Sequence, residues 1–200
     1  MEPAHIASKA HDDALVWVKL HQVEKEENSV QVEDGFSPKY WKKPPFGFVK
    51  CNIGTSWSPH SRHSGSSWII MDFRGKALVH SRRALIDMGS GLEADIASLS
   101  WAIEDVLRLR WNKVVFEISS RRLWEALKKP SSAPALSQAT SDLLISLNRL
   151  SQYQIELVPL SCNTVAEEIA KSVVRDNRLQ SYVAQGGPSW LSNIILVEAN

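Results

Sequence analysis

The sequence predicts an α/β domain in which a mixed sheet is covered by helices on both faces. Three observations carry that prediction. Period-two runs follow one another through short turns between Phe46 and Ala84, which makes an antiparallel meander. The segment Leu92 to Leu107 then places apolar residues at helical spacing. Beyond it, the β-branched run Val114 to Ile118 and the alternating run Tyr153 to Leu160 are separated by helical stretches, so strands and helices interleave. A chain of 200 residues, 44% of them apolar, can build one core of ordinary size and an appendage.

Taken in order, Leu15, Val18 and Val23 give an apolar side to a short helix over residues 11–23, and Glu24 to Gly35 reads as a charged, flexible linker. Lys42-Lys43-Pro44-Pro45 is a boundary, because two prolines forbid a helix and set an extended lead-in. In the stretch Phe46 to Trp57, Val49, Cys51 and Ile53 alternate with Phe48, Lys50 and Asn52, as in a central first strand, and Gly54 sits where it runs out. Ser58 to Gly65 is a loop by composition. Ser66 to Phe73 and Ala77 to Ala84 are the next strands, joined by a turn at Asp72 to Gly75. Leu92, Ile96, Leu99, Ile103, Val106 and Leu107 mark the first long helix, starting near Ser90 or Gly91. A buried strand over Val114 to Ile118 leads to a helix from Arg121 to Lys128, stopped by Pro130, and to another from Leu136 to Leu150. The last strand is Tyr153 to Leu160, and a closing helix on Val165, Ile169 and Val173 is expected to run to about Val183. These elements divide the chain into an acidic leader over 1–40, a domain over 41–183 and a tail over 184–200.

Charge is unevenly distributed. The formal net charge is +1, but residues 1–40 hold four lysines against eight acids, and the rest holds 19 basic residues against 14 acids. A mildly basic domain suits phosphate contacts and lacks the strongly basic footprint of a dedicated nucleic-acid binder. Cys51 and Cys162 have no close spacing and are expected to be free thiols in core elements. No apolar run reaches the ~20 residues of a membrane span, so a membrane is not an expected partner. Met1 to Ala10 is neither basic nor apolar enough for a targeting leader, and nucleus or cytoplasm is the expected compartment. Most of the eight tryptophans are expected in the core or at its edges.

A succession of blocks then carries a resemblance. Lys50-Cys51-Asn52-Ile53-Gly54 is followed by Gly65, Trp68 to Asp72 and Gly75, then Glu93-Ala94-Asp95, then Phe116 to Ser120, then Asn163 to Ala170. Together they resemble the plant ribonuclease H-like family, also described as reverse-transcriptase-like, whose members look like descendants of a retroelement ribonuclease H. The resemblance covers about Trp41 to Val183, and Ser181 to Leu191 resembles a signature of a plant-restricted subgroup. It implies a five-stranded sheet of order 3-2-1-4-5, the first three strands antiparallel. It also implies Mg²⁺-dependent cleavage of the RNA strand of RNA–DNA hybrids by an acidic cluster at one sheet end. Two Mg²⁺ ions ~4 Å apart would activate water and stabilise the leaving oxygen, and so hard a cation takes oxygen ligands.

Carried over residue by residue, the resemblance puts Gly54 at the first Asp, Asp95 at the helix Glu, Ser119 at the second Asp and Glu167 at the third. Only Asp95 and Glu167 keep a carboxylate, and both change its length. A one-residue slip that brought in Glu93 or Glu168 would replace neither missing ligand. The catalytic positions are therefore read as degenerate, the domain as catalytically silent, and no cofactor is expected, with Mg²⁺ the ion if activity survives and Asp95 and Glu167 its candidate ligands. Lys42, Lys43, Arg62, Arg82, Arg83, Arg121 and Arg122 are the candidate nucleic-acid contacts around the former active-site face. His60 and His63, in a Ser-rich loop, are read as solvated. Three functions remain open: a binding module for RNA or RNA–DNA hybrid, a protein-interaction scaffold using the leader or tail, and a working hybrid ribonuclease.

Overall fold

The computed structural model describes residues 41–198; the helix and linker expected over 11–35 lie outside the described residues. Strand β1 (Val49–Trp57) pairs antiparallel with β2 (Ser64–Met71), which pairs antiparallel with β3 (Ala77–Leu85). Helix α1 (Gly91–Arg108) crosses to β4 (Lys113–Ile118), parallel to β1; α2 (Arg121–Lys128) and α3 (Ser137–Leu147) lead to β5 (Gln152–Leu157), parallel to β4. Helix α4 (Thr164–Arg175) follows, and the chain ends with strand β6 (Tyr182–Gln185) and helix α5 (Ser192–Glu198).

The sheet order is β5-β4-β1-β2-β3-β6, which contains the expected 3-2-1-4-5 arrangement and adds a sixth strand at its edge. That strand corrects the closing helix. Helix α4 stops at Arg175 rather than near Val183 because Asn177 takes a left-handed φ of 50°, while Arg178 N–H donates to the Val173 carbonyl at 2.9 Å. This is the glycine-like ending that asparagine tolerates. The freed chain then turns back to β3, so the boundary expected after Val183 falls inside β6. His80 fastens it: Nδ1 donates to the Gly186 carbonyl at 2.7 Å, which leaves Nε2 to accept from the Tyr182 hydroxyl at 3.0 Å.

Period two in β1 separates two cores. Cys51 and Ile53 join Trp68, Phe116, Leu99 and Ile103 under α1, where a fully buried side chain of this size contributes about 1.5–3 kcal/mol. Lys50, Asn52 and Gly54 face the other way, toward the layer formed by Ile69, Met71, Val165, Ile169, Trp41 and Leu191. Leu191 belongs to the tail, so the tail docks on its own domain. Both cysteines are buried thiols outside any disulfide. Trp41, Trp68, Trp101 and Trp124 are buried, and Trp190 is exposed. Among the described residues no helix is long and apolar enough to cross a membrane.

Candidate functional site

Helix α4 lies close to the sheet because two strand positions facing it, Gly54 and Gly65, carry no side chain. A β-carbon at Gly54 would lie 2.3 Å from the Ala166 carbonyl oxygen and 2.8 Å from the Glu167 nitrogen. One at Gly65 would lie 2.0 Å from the Ala170 carbonyl. Between them, the Ser67 hydroxyl donates to the Ala166 carbonyl at 2.6 Å. Small residues on β1 and β2 thus let the helix backbone rest on the strand backbones, and the place of a side chain at 54 is filled by α4 itself.

Beside this contact, a cavity of about 350 Å³ opens at the C-terminal ends of β1 and β4. Asp95, Ser119, Ser120, Arg121, Arg122 and Glu167 all line it, so the structure brings together the expected helix, strand-end and closing-helix positions. Ser120 caps α2, accepting from Leu123 N–H at 3.2 Å, and its hydroxyl donates to Asp95 Oδ2 at 2.6 Å. Ser119 accepts from Asn163 Nδ2 at 2.8 Å and donates toward Glu167. Burial pushes the Asp95 carboxyl above the usual carboxylate range, against the pull of Ser120, Arg122 and Thr55. Burial likewise pushes Glu167 up to about 7; Lys171 draws it down and the Asp95 carboxylate raises it further.

The other sequence-predicted residues lie elsewhere. Glu93 accepts from Gly89 N–H at 2.7 Å at the start of α1, and Glu168 pairs with Lys171 at 2.8 Å, so neither replaces a missing ligand. Of the seven basic candidates, Arg121 and Arg122 line the cavity. Arg62 pairs with Asp87 at 3.0 Å, Arg82 stacks over Tyr182 at 4.7 Å and Arg83 over Trp101 at 5.2 Å. Lys42 and Lys43 are exposed ahead of β1, while His60 is exposed and His63 half-buried in their loop, and none of these lines the cavity.

A polar cluster beneath the cavity was not anticipated. Lys50 Nζ, only 2% of whose residue is exposed, donates to Glu117 Oε1 and to the Lys42 carbonyl at 2.6 Å. Asn52 Nδ2 donates to Glu117 Oε2 at 2.6 Å and to Asn163 Oδ1 at 3.1 Å, and Asn163 Nδ2 donates to the Ile53 carbonyl at 2.8 Å. The signal for it was Lys50 and Asn52 in a central strand that helices cover on both faces: polar groups there have to be buried and must find partners.

The donor set does not fit a pair of Mg²⁺ ions. Two carboxylates remain, the position of a third is occupied by the backbone of α4, and the fourth is a hydroxyl engaged by Asn163 and Glu167. Among the described residues no group of three or more His, Cys, Asp or Glu side chains is placed to share a metal.

A family model described as reverse transcriptase-like matches residues 52–173, well over half of the chain. The chain belongs to the reverse transcriptase-like family of ribonuclease H-like domains. Solved structures agree on its fold. Ribonuclease H1 of the archaeon Halobacterium salinarum is 14% identical with a TM-score of 0.59, covering 64% of this chain and 98% of that one. The N-terminal ribonuclease H domain of a Mycobacterium tuberculosis protein is 15% identical with a TM-score of 0.58, covering 66% and 96%. LC11 ribonuclease H1, in complex with an RNA/DNA hybrid, is 15% identical with a TM-score of 0.55, covering 66% and 98%. A putative protein phosphatase 2C-like protein of Arabidopsis thaliana is 59% identical over 29 residues, and the match spans 12% of that protein's length. Within this reverse transcriptase-like domain, β6 and α5 lie beyond the matched residues.

Proposed function

We propose that this domain holds RNA or an RNA–DNA hybrid at the cavity without cutting it. One observation carries the reading: the backbone of α4 fills the space a first carboxylate would need, 2.3 Å from any β-carbon at Gly54. Arg121 and Arg122, exposed at the cavity rim, supply phosphate contacts that need no metal. Membership of the reverse transcriptase-like family, and a structural neighbour solved with an RNA/DNA hybrid, support the choice of ligand.

The test is binding of the full chain to a labelled RNA–DNA hybrid across a salt series, beside single- and double-stranded RNA and DNA, with a cleavage assay in Mg²⁺ and Mn²⁺. Binding is expected to weaken with salt, to lose about one unit of salt slope for each of Arg121→Ala and Arg122→Ala, and to leave the hybrid uncut. Divalent-dependent cleavage that Asp95→Asn abolishes would falsify silence, and a hybrid affinity indifferent to both arginines would remove the cavity from recognition. A second reading, a protein-interaction scaffold, is favoured by the apolar residues the tail leaves exposed, Trp190 at 46%, Leu196 at 62% and Val197 at 78%. Substituting these three should then abolish partner capture and leave hybrid binding intact.

A further inference from the structure

The end of the sheet away from the cavity carries a second set of features. The cavity opens near Thr55 and Ser119, at the C-terminal ends of β1 and β4. Phe46 and Phe48 precede β1, Lys113 begins β4, and Phe73 and Arg74 stand in the turn after β2. Seven residue steps of extended chain from Phe48 to Thr55 separate the two ends by about 23 Å.

Two turns carry the aromatic rings, of which Phe46 stands out from the surface and Phe73 is 36% exposed. Phe48 N–H donates to the Pro45 carbonyl at 3.0 Å and Gly47 has φ of 85°, the combination that closes a turn with glycine at its third position. Phe46, at the second position, is 84% exposed. In the turn between β2 and β3, Asp72 Oδ1 accepts from both Arg74 N–H and Lys76 N–H at 2.9 Å, and Gly75 N–H donates to the Asp72 carbonyl at 2.9 Å. The Phe46 and Phe73 rings then meet edge to face, 5.1 Å apart with planes at 74°. Cations are set among these rings: the Arg74 guanidinium is 5.2 Å from the Phe73 ring and Lys113 Nζ is 5.9 Å from the Phe48 ring. Lys43 and Lys76 are exposed beside the same turns. Asp72 is the acid within them, and its carboxylate is committed to the turn.

We propose that this aromatic and basic patch is a second contact site, which takes a single strand of nucleic acid by stacking bases on Phe46 and Phe73 while the surrounding cations follow its phosphates. The charge decides the occupant. An apolar pair ringed by lysine and arginine complements a polyanion that also has apolar faces, and an unpaired strand exposes base faces that a duplex conceals. Preformed turns keep the ordering cost of such a contact low. The site rests on residues other than those of the cavity, so the two readings stand or fall separately.

The experiment measures fluorescence anisotropy of the full chain with a labelled oligo-uridine or oligo-thymidine of roughly 12 nucleotides, a length within the usual span of single-strand sites. Phe46→Ala with Phe73→Ala is expected to weaken single-strand binding about tenfold and to leave hybrid binding unchanged. Arg121→Ala with Arg122→Ala should do the reverse, and Arg74→Ala or Lys113→Ala should each lower the single-strand salt slope by about one. Both phenylalanines lie in turns at the surface, so an unchanged melting curve checks that the fold is intact. No single-strand binding by the wild type, or equal affinity in the phenylalanine variant, overturns the proposal. So does concentration-dependent self-association that the phenylalanine variant abolishes while oligonucleotide binding is absent, because the patch would then be a contact between copies of the chain.

Discussion

Along a single face of β1, alternate residues meet two different solutions to a buried polar site. Lys50 and Asn52 lie over Glu117, whose carboxylate receives an ammonium and an amide within a layer that excludes water. One pleat further on, Gly54 brings nothing, and the carboxylates of Asp95 and Glu167 remain beside a cavity with hydroxyls and amides as their partners. Burial raises both carboxyls: at Glu117 it outweighs the pull of Lys50 and Asn52, with Glu156 adding to the rise, and at Glu167 it outweighs the pull of Lys171, with Asp95 adding to the rise. An ammonium is bonded directly to the carboxylate where the strands and α4 must be tied together, whereas hydroxyls and an amide bond the carboxylates where the family arrangement would have placed metal. The difference teaches that the first cluster belongs to the architecture and the second is free to change.

The architectural cluster should be the more costly to break. Lys50→Met leaves Glu117 buried without its cation, and a lone buried charge costs about 3–5 kcal/mol. A melting or denaturant series should show that loss, and Lys50→Met combined with Glu117→Gln should recover much of it. A double-mutant cycle that gave additive effects would mean the pair is not coupled.

Position 54 comes next. A methyl group there meets the backbone of α4 rather than a flexible side chain, so Gly54→Ala is expected to cost about 3 kcal/mol, the upper part of the overpacking range. Gly54→Asp with Ser119→Asp restores the number of carboxylates but has to displace α4, whose N-terminal amides at Thr164 and Val165 are also held by Glu198 Oε1 at 2.8 and 3.3 Å. No hybrid cleavage is expected from that double variant in Mg²⁺. A variant that stays folded and cuts would show that chemistry, and not the seat of the helix, was what the chain had lost.

How much of this was legible in the sequence follows from what each residue has to satisfy. Period-two alternation around Cys51 and Ile53 located β1, and helical spacing from Leu92 to Leu107 located α1, because burial on one side of an element is written locally. The blocks around Gly54, Asp95, Ser119 and Glu167 gave four positions, of which Asp95, Ser119 and Glu167 line the cavity and Gly54 lies against α4. Strand β6 was hidden: four residues, half-buried and exposed in turn, follow a helix whose apolar spacing gives no sign that Asn177 will reverse the chain. The closeness of α4 to the sheet was hidden too, since a glycine in a strand announces room and only the tertiary structure shows what fills it. Lys50 pairing with Glu117 joins residues far apart in sequence, and neither strand alone names its partner.

The smallest effect is the most specific to the cavity. In the unfolded chain a glutamate titrates near 4.3, whereas in the fold Glu167 is pushed up to about 7. Between those values the folded state binds more protons than the unfolded state. Stability from this group is therefore fully present below about pH 4 and lost as pH rises through about 7. Glu167→Gln removes that loss while keeping a polar group beside Ser119 and Asn163, so it should stabilise the domain at pH 8 by about 1–2 kcal/mol, a few degrees in melting temperature. It should also flatten the fall in stability between about pH 4 and 7. The matching change at Glu117, whose carboxylate has Lys50 against it, should destabilise at pH 8 instead. Opposite signs for Glu167→Gln and Glu117→Gln under one condition would confirm that the two clusters differ in kind; the same sign in both would reduce them to one buried network.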